Sequence, residues 1–359
     1  MLKVLLIGEF SGLFNNLAEG LKYLNCDVVL ANDGNPPKNY YRDIDIHNKW
    51  ATIIPLGIGQ IINEVSFIKN LPTFDIIQII NPGVFSERAP IKFFLKQLRR
   101  KCAKFFLTAA GDDSYYWQAF REGKFRYSPH VGTLNDYNSL THLFENRQYQ
   151  YINDLFVEYS DGVIANAAEY YIAYQNRIDS LTYIPFPIKI KNDASNFISR
   201  NSSGKIKILH GIQKNRQGFK GNKFFFEAIK SLPKHIQRAV EYREIWDLSY
   251  DQYRIQLKEC DFLLDQVNSY SPGMNALEAM SYGKIVFGGC EEEFITLNNI
   301  KDPPLVNVIP DSKDIANKIT KVIEDSLSME KISKEASSYV HSNHDYKHIA
   351  HQYMKVWNL

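Results

Sequence analysis

The chain has 359 residues, 45% of them hydrophobic and 23% charged, with a formal net charge of +2. That composition belongs to a globular protein long enough for two domains with separate cores, and the small net charge argues against nucleic acid as the main partner. Four cysteines, Cys26, Cys102, Cys260 and Cys290, stand far apart with no CxxC pair, so neither a zinc ribbon nor a disulfide framework is indicated and a reducing compartment is the simpler reading.

The opening MLKVLLIGEF is too short in its apolar part for a signal peptide and reads as a first strand. No apolar stretch approaches the roughly 18 residues that would span a bilayer. KVLLIG, DVVLAN, FDIIQIIN, KFFLTAA and GVIANA follow as strand candidates, separated by helical patterns such as NNLAEGLKYL and PIKFFLKQLRR. Strands alternating with helices predict a parallel sheet covered on both faces. LTYIPFPIKIKNDASNFISRNSSG then breaks the rhythm with prolines and polar residues and is expected to be a linker. The pattern restarts with KIKILHG, EYREIWDL, CDFLLDQV, KIVFGG and LVNVIP, which predicts a second doubly wound domain and a cleft between the two. The expected spans are 1–187, 204–340 and a terminal segment 341–359, whose HDYKHIAHQYMKVWNL reads as one long amphipathic helix.

Three nucleotide signatures fail. GEFSGLF, at the first strand-to-helix turn, holds Gly8 and Gly12 but no GxGxxG, and GIQKNRQGFKGNK never completes a P-loop. Asp43-Ile44-Asp45 formally reads DxD, a pair that more often lies on a solvated surface. What remains is a combination. HGIQKNRQGFKGNKFFFEAIKSL places Lys214, Arg216 and Lys220 just before a helix that Asn222 is expected to cap and Pro233 to end. Cations beside free helix amides suit an anion such as a diphosphate, although an exposed basic loop has the same composition. In SYSPGMNALEAMSYGKIVFGG, Ser271 is the expected N-cap, Pro272 suits the first turn and Gly283 the left-handed stop. Glu278, Asn275 and Ser271 then share one face leading to the helix N-terminus, where a carboxylate can accept two ribose hydroxyls.

These segments, with FSGLFNNLAEGLKYL and AAGDDSYYW in the first half, resemble retaining GT-B glycosyltransferases, closest to the bacterial enzymes of glycosyltransferase family four. The resemblance spans nearly the whole chain. It implies two Rossmann-like domains facing a cleft, with the last helix returning to the first domain. It further implies a nucleoside-diphosphate sugar as donor, no cofactor and no metal. Arg216 and Lys220 would neutralise the diphosphate, joined by Lys214. Glu278 would hold the ribose, and Tyr270, Ser271, Gly273, Met274 and Asn275 would lie against phosphate and sugar, with Gly12 reaching the donor from the first domain. The acceptor, a glycan or lipid-linked glycan of a bacterial capsule or lipopolysaccharide, would meet Ser11, Phe14, Tyr115 and Trp117.

Two departures stand out. Relatives carry a glutamate eight positions before the one matching Glu278, where this chain has Tyr270, and a histidine near the reacting carbon, where KFFLTAA runs into Gly111-Asp112-Asp113. Asp112 and Asp113 either take over that hydrogen bond or cap a helix. A non-catalytic nucleotide- or carbohydrate-binding relative and a Rossmann-type oxidoreductase are the rival readings. Two further patterns are His344, His348 and His351 at helical spacing, and residues 91–106, where Lys92, Lys96, Arg99, Arg100, Lys101 and Lys104 alternate with apolar residues. The first suggests a metal face or a wet helix face. The second suggests a helix on an anionic membrane, and hence a cytoplasmic enzyme peripheral to the inner face of the cell membrane, or an ordinary domain helix.

Overall fold

Short β-branched runs become buried strands here because both faces of each sheet are covered, as the fully buried Val4, Leu5, Leu6 and Ile7 show. The computed structural model describes residues 1–34, 38–46, 58–133, 144–190, 204–213 and 217–358. Among these residues the chain forms two compact units. The first comprises Met1–Lys124, Tyr137–Lys189 and Tyr346–Leu359, and the second Phe125–Asp136 and Ile190–Asp345. Nothing in the sequence marks the grouping of Phe125–Asp136 with the second unit.

The first unit carries β1 (Lys3–Ile7), β2 (Asp27–Asn32), β3 (Ile44–Asp45), β4 (Phe74–Ile79), β5 (Cys102–Ala109), β6 (Gly162–Ala165) and β7 (Leu181–Tyr183). They form one parallel sheet in the order β3-β2-β1-β4-β5-β6-β7, with Val4 in register with both Val28 and Ile76. The start of the expected linker is thus the edge strand β7, paired with β6 through Ile164 and Thr182. The Asp43-Ile44-Asp45 pair is used locally: Asp43 accepts from Leu30 N–H and the Tyr41 hydroxyl, and Asp45 pairs with Arg42.

The terminal helix Tyr346–Val356 does return to the first unit. Ile349, Ala350, Tyr353 and Trp357 share a core with Leu13, Phe14 and Leu17 of the helix Leu13–Tyr23. A Cβ on Gly20 would come within 2.2 Å of the Tyr346 carbonyl, so glycine is what lets the two helices approach. The expected single long helix starts too early, however. His344 is the buried C-cap of the helix Ser326–Asn343, whereas His348 and His351 are exposed on the next helix, so the three do not share a face. No group of described residues is arranged to hold a metal ion.

Residues 91–106 divide between the helix Ile91–Arg100 and β5. Phe94, Leu95 and Leu98 are core residues, while Phe93 is exposed. Arg99 pairs with Asp161, Lys104 donates to the Trp357 carbonyl, and Lys101 donates to the Leu71 carbonyl. Lys92, Lys96 and Arg100 remain on the surface. No described helix is long and apolar enough to cross a membrane.

The second unit carries β8 (Ile206–Ile212), β9 (Val240–Trp246), β10 (Phe262–Leu264), β11 (Ile285–Gly288) and β12 (Val306–Asn307), parallel in the order β12-β11-β10-β8-β9. The chain leaves β8 toward β9 and resumes on the other side with β10. The topological switch point, where such sheets bind ligands beyond the strands' carboxyl ends, therefore lies between β8 and β10.

Candidate functional site

Beyond β8 and β10 the chain makes two strand-to-helix connections that touch. Val267 N–H donates to the Lys220 carbonyl at 3.1 Å, and Asn268 Nδ2 donates to the carbonyls of Gly218 and Phe219. A Cβ on Gly221 would meet Val267 at 2.4 Å, and its φ of 73° is left-handed, so glycine is required at this junction. That decides the cap of the helix Asn222–Ser231: Gly221 is the N-cap, not Asn222. Asn222 is instead the buried first residue, its Oδ1 3.3 Å from His210 Nε2. His210 Nδ1 lies 2.7 Å from the Tyr242 hydroxyl. Burial pushes its pKa down to about 4.

The other helix also begins on glycine. The structure starts it at Met274, with Gly273 as N-cap and no side-chain cap. Ser271, the expected cap, is buried in a turn where Ser269 Oγ donates to its carbonyl at 2.8 Å. That turn lies against the connection after β11, because a Cβ on Gly289 would sit 1.8 Å from the Ser269 carbonyl. Ser271 therefore leaves the helix face assigned to it, and Asn275 and Glu278 keep theirs, partly exposed with Gly273 and Met274. Gly283 takes the left-handed stop at φ 73°, as its sequence position predicts.

The polar groups converge on a residue that sequence reasoning missed. Asp265, one position past β10 and 2% exposed, accepts from Lys220 Nζ at 3.0 Å and from Asn275 Nδ2 at 2.8 Å, both at Oδ1. The acid at the end of the apolar run CDFLLDQV was the available signal. Glu278 is also partnered. Arg254 Nε donates to its Oε1 and the Tyr250 hydroxyl to its Oε2, each at 3.0 Å. An ionised carboxylate has about four acceptor sites, so room remains for a ligand hydroxyl. Lys214 and Arg216 lie outside the described residues.

Tyr270 is placed differently from expectation. It is 1% exposed, with Phe125 and Tyr127 edge-on to its ring and the Arg126 guanidinium 4.6 Å from its centroid. Its hydroxyl accepts from Arg126 N–H at 2.5 Å, and the guanidinium goes on to Glu291 and Glu293. A side chain so enclosed packs the loop and does not present a face to a sugar.

The first unit has its own switch point, between β1 and β4, and fills it differently. Glu9, 2% exposed, accepts from Gly12 N–H at 2.8 Å, from Asn15 N–H at 2.9 Å and from Asn15 Nδ2 at 2.7 Å. Burial raises its pKa. The Gly12 amide is therefore spent on a carboxylate and is not free for a donor phosphate. Ser11 is exposed, with φ 56° and its hydroxyl 3.4 Å from Lys38 Nζ. Phe14 and Trp117 are core residues, and Tyr115 is buried with its hydroxyl donating to Asp154 at 2.6 Å. These three are buried and offer no surface to an acceptor. Asp113 caps the helix Ser114–Arg121 through Tyr116 N–H and accepts from the Tyr174 hydroxyl, so its role is structural. Asp112 is partly exposed, and its carbonyl accepts from Asn81 Nδ2.

No family model matches the chain, and no curated protein matches its sequence. Solved structures match its fold. HepE of Anabaena, in complex with UDP-glucose, superposes with a TM-score of 0.65 at 14% identity over 100% of both chains. Sucrose-phosphate synthase of Thermosynechococcus elongatus gives 0.63 at 12% identity over 100% of this chain and 98% of that one. WaaG, a glycosyltransferase involved in lipopolysaccharide biosynthesis, gives 0.61 at 13% identity over 99% of each. The α/β fold is that of the GT-B glycosyltransferases.

Proposed function

We propose that the protein is a glycosyltransferase that takes its sugar from a nucleoside-diphosphate donor held by the second unit. One observation carries this reading. At the switch point between β8 and β10, Lys220 and the glycine-capped start of the helix Met274–Ser281 offer positive charge and uncapped amides, with Glu278 one turn further on. The fold match to HepE, whose structure contains UDP-glucose, supports the same assignment. As the sugar leaves, charge grows on the diphosphate. Lys220, with Lys214 and Arg216 of the adjoining segment, would stabilise that charge without a metal or other cofactor. The finer reading is a retaining enzyme of the family-four type, in which the donor's own phosphate helps deprotonate the acceptor.

The acceptor side belongs to the first unit, around Ser11 and Asp112. A glycan or lipid-linked glycan of a bacterial surface polysaccharide is the proposed acceptor, supported by the fold match to WaaG. Work at the inner face of the cell membrane would rest on the exposed Lys92, Phe93, Lys96 and Arg100. A dinucleotide oxidoreductase is disfavoured by Glu9, whose carboxylate occupies the turn where a pyrophosphate would lie.

The burial of Tyr270 favours a second reading, a nucleotide-binding relative without turnover. One experiment separates the two. Calorimetric titration with UDP, GDP and TDP, followed by incubation with the matching sugar donors, is expected to show binding and then release of nucleoside diphosphate. Binding without release selects the non-catalytic reading, and no binding of any of the three removes both.

A further inference from the structure

We infer that Asp265 is a positioning residue that sets the direction and the effective charge of Lys220. The inference rests on the donor reading above and adds a residue to it. Asp265 is fixed in the sheet by its own amide, which donates to the Phe287 carbonyl at 3.0 Å. Its carboxylate is almost fully buried, an expensive place for a charge unless partners surround it. The partners come from two different connections, Lys220 from the segment after β8 and Asn275 from the helix after β10. One oxygen therefore ties together the cation and the amide that flank the switch point.

Two opposed consequences follow. Lys220 is held in one geometry before a ligand arrives, which favours stabilisation of charge on a departing diphosphate. The same carboxylate offsets the lysine's charge, which lowers the attraction for an anion in the ground state. Replacing Asp265 by Asn keeps the shape and one acceptor oxygen but removes the charge. Asp265→Asn is expected to bind UDP more tightly by about fivefold at low salt, the size of a unit-charge repulsion at ~4 Å in a solvated site. Its affinity should also fall more steeply as salt rises. Turnover of a UDP-sugar should drop, with kcat and KM falling together, because a loosened lysine binds well and stabilises poorly. A merely structural role would weaken binding instead.

The test measures UDP affinity in four proteins at two salt concentrations: wild type, Asp265→Asn, Lys220→Gln, and the double variant. Near-UV circular dichroism confirms the fold of each. Lys220→Gln leaves an uncompensated buried carboxylate and should lose most affinity, and adding Asp265→Asn should restore part of it. That rescue decides the matter even if Asp265→Asn alone does not fold. Tighter binding by Asp265→Asn, or rescue in the double variant, supports the inference. Equal or weaker binding without rescue overturns it while the donor reading stands. If the wild type binds neither UDP nor, in its place, GDP or TDP, the donor reading itself falls.

Discussion

The two units answer the same topological problem with opposite chemistry. Each has a switch point at which a strand ends and a helix begins. In the first unit the turn after β1 is filled from within, since the Glu9 carboxylate takes the amides of Gly12 and Asn15. In the second unit the helices Asn222–Ser231 and Met274–Ser281 begin on Gly221 and Gly273 with no side-chain cap, and Lys220 stands beside them. A carboxylate at a helix start satisfies the terminus and repels an anion, whereas a glycine start with a nearby cation leaves it available. A doubly wound fold does not by itself say which unit holds a diphosphate. All three helices begin on a glycine, Gly12, Gly221 and Gly273, and what separates the units is the Glu9 carboxylate that takes up the amides of Gly12 and Asn15.

The strongest way to break this contrast is to give the second unit a cap like the first. Gly273 has φ −80°, and a Cβ there would lie 3.6 Å from Gln266 Nε2, so a side chain fits. Gly273→Asp should stabilise the protein by about 0.3 kcal/mol as a side-chain cap, since glycine is itself a fair N-cap. It should also weaken nucleoside-diphosphate binding about 100-fold, because a like charge placed against a bound anion costs several kcal/mol. Thermal unfolding and calorimetry read the two effects separately. Undiminished binding would place the diphosphate elsewhere.

Glu278→Gln tests the next turn of the same helix. It removes a charge that Arg254 and Tyr250 now share, and with it a charged hydrogen bond to ribose worth about 1.5 kcal/mol, or roughly tenfold in affinity for the nucleotide. Tyr270→Phe serves as the contrast. Its hydroxyl accepts from Arg126 N–H, so the loss is expected in stability, about 1 kcal/mol, and equally for UDP and UDP-sugar. A selective loss for the sugar-bearing ligand would return Tyr270 to the sugar site.

The contrast also extends to pH. His210 in the second unit has its folded pKa lowered by burial to about 4, so its contribution to stability is present above its ordinary 6.5 and is lost as pH falls toward 4. Glu9 in the first unit has its folded pKa raised above 4.5 by burial, so its contribution is present below 4.5 and is lost as pH rises through the raised value. Acidification from pH 6.5 to 5.5 should therefore cost the second unit about 1 kcal/mol through His210. Hydrogen exchange of peptides covering β8, corrected for intrinsic rates, should quicken over that interval, and His210→Gln should flatten the slope. The same slope in His210→Gln as in the wild type would contradict the assignment.

The smallest effect concerns the first unit's surface. With Arg99, Lys101 and Lys104 engaged in internal hydrogen bonds, Lys92, Lys96 and Arg100 are the cations left to meet an anionic membrane, at about 1 kcal/mol each. Weak co-sedimentation with phosphatidylserine vesicles at low salt is expected, abolished by changing these three to Glu. Absence of binding at low salt would remove the membrane from the proposal.

Every segment read as a strand contains one: most are short apolar runs between turn residues, and β9, half-exposed along its length, is held by its pairing with β8. Parallel order followed from the alternation with helices, and Gly283 announced its helix end by being the residue a left-handed stop requires. Lys220 and Glu278 were legible as candidates because charge beside a helix start has a meaning within a short window. Tertiary structure decided the rest. Gly221 and Gly273 displaced Asn222 and Ser271 as caps because the space at Gly221 is set by Val267, and the Ser269–Ser271 turn is set by Gly289. Phe14 and Trp117 went to the core, Asp113 to a cap and Tyr270 beneath Arg126, a partner 144 positions away. Asp265 became the hub because parallel pairing of β8 with β10 brings Lys220 to it from 45 positions away. Periodicity and capping propensity are properties of a few neighbouring residues, whereas close approach, burial and charge pairing are properties of which segments the sheet places side by side.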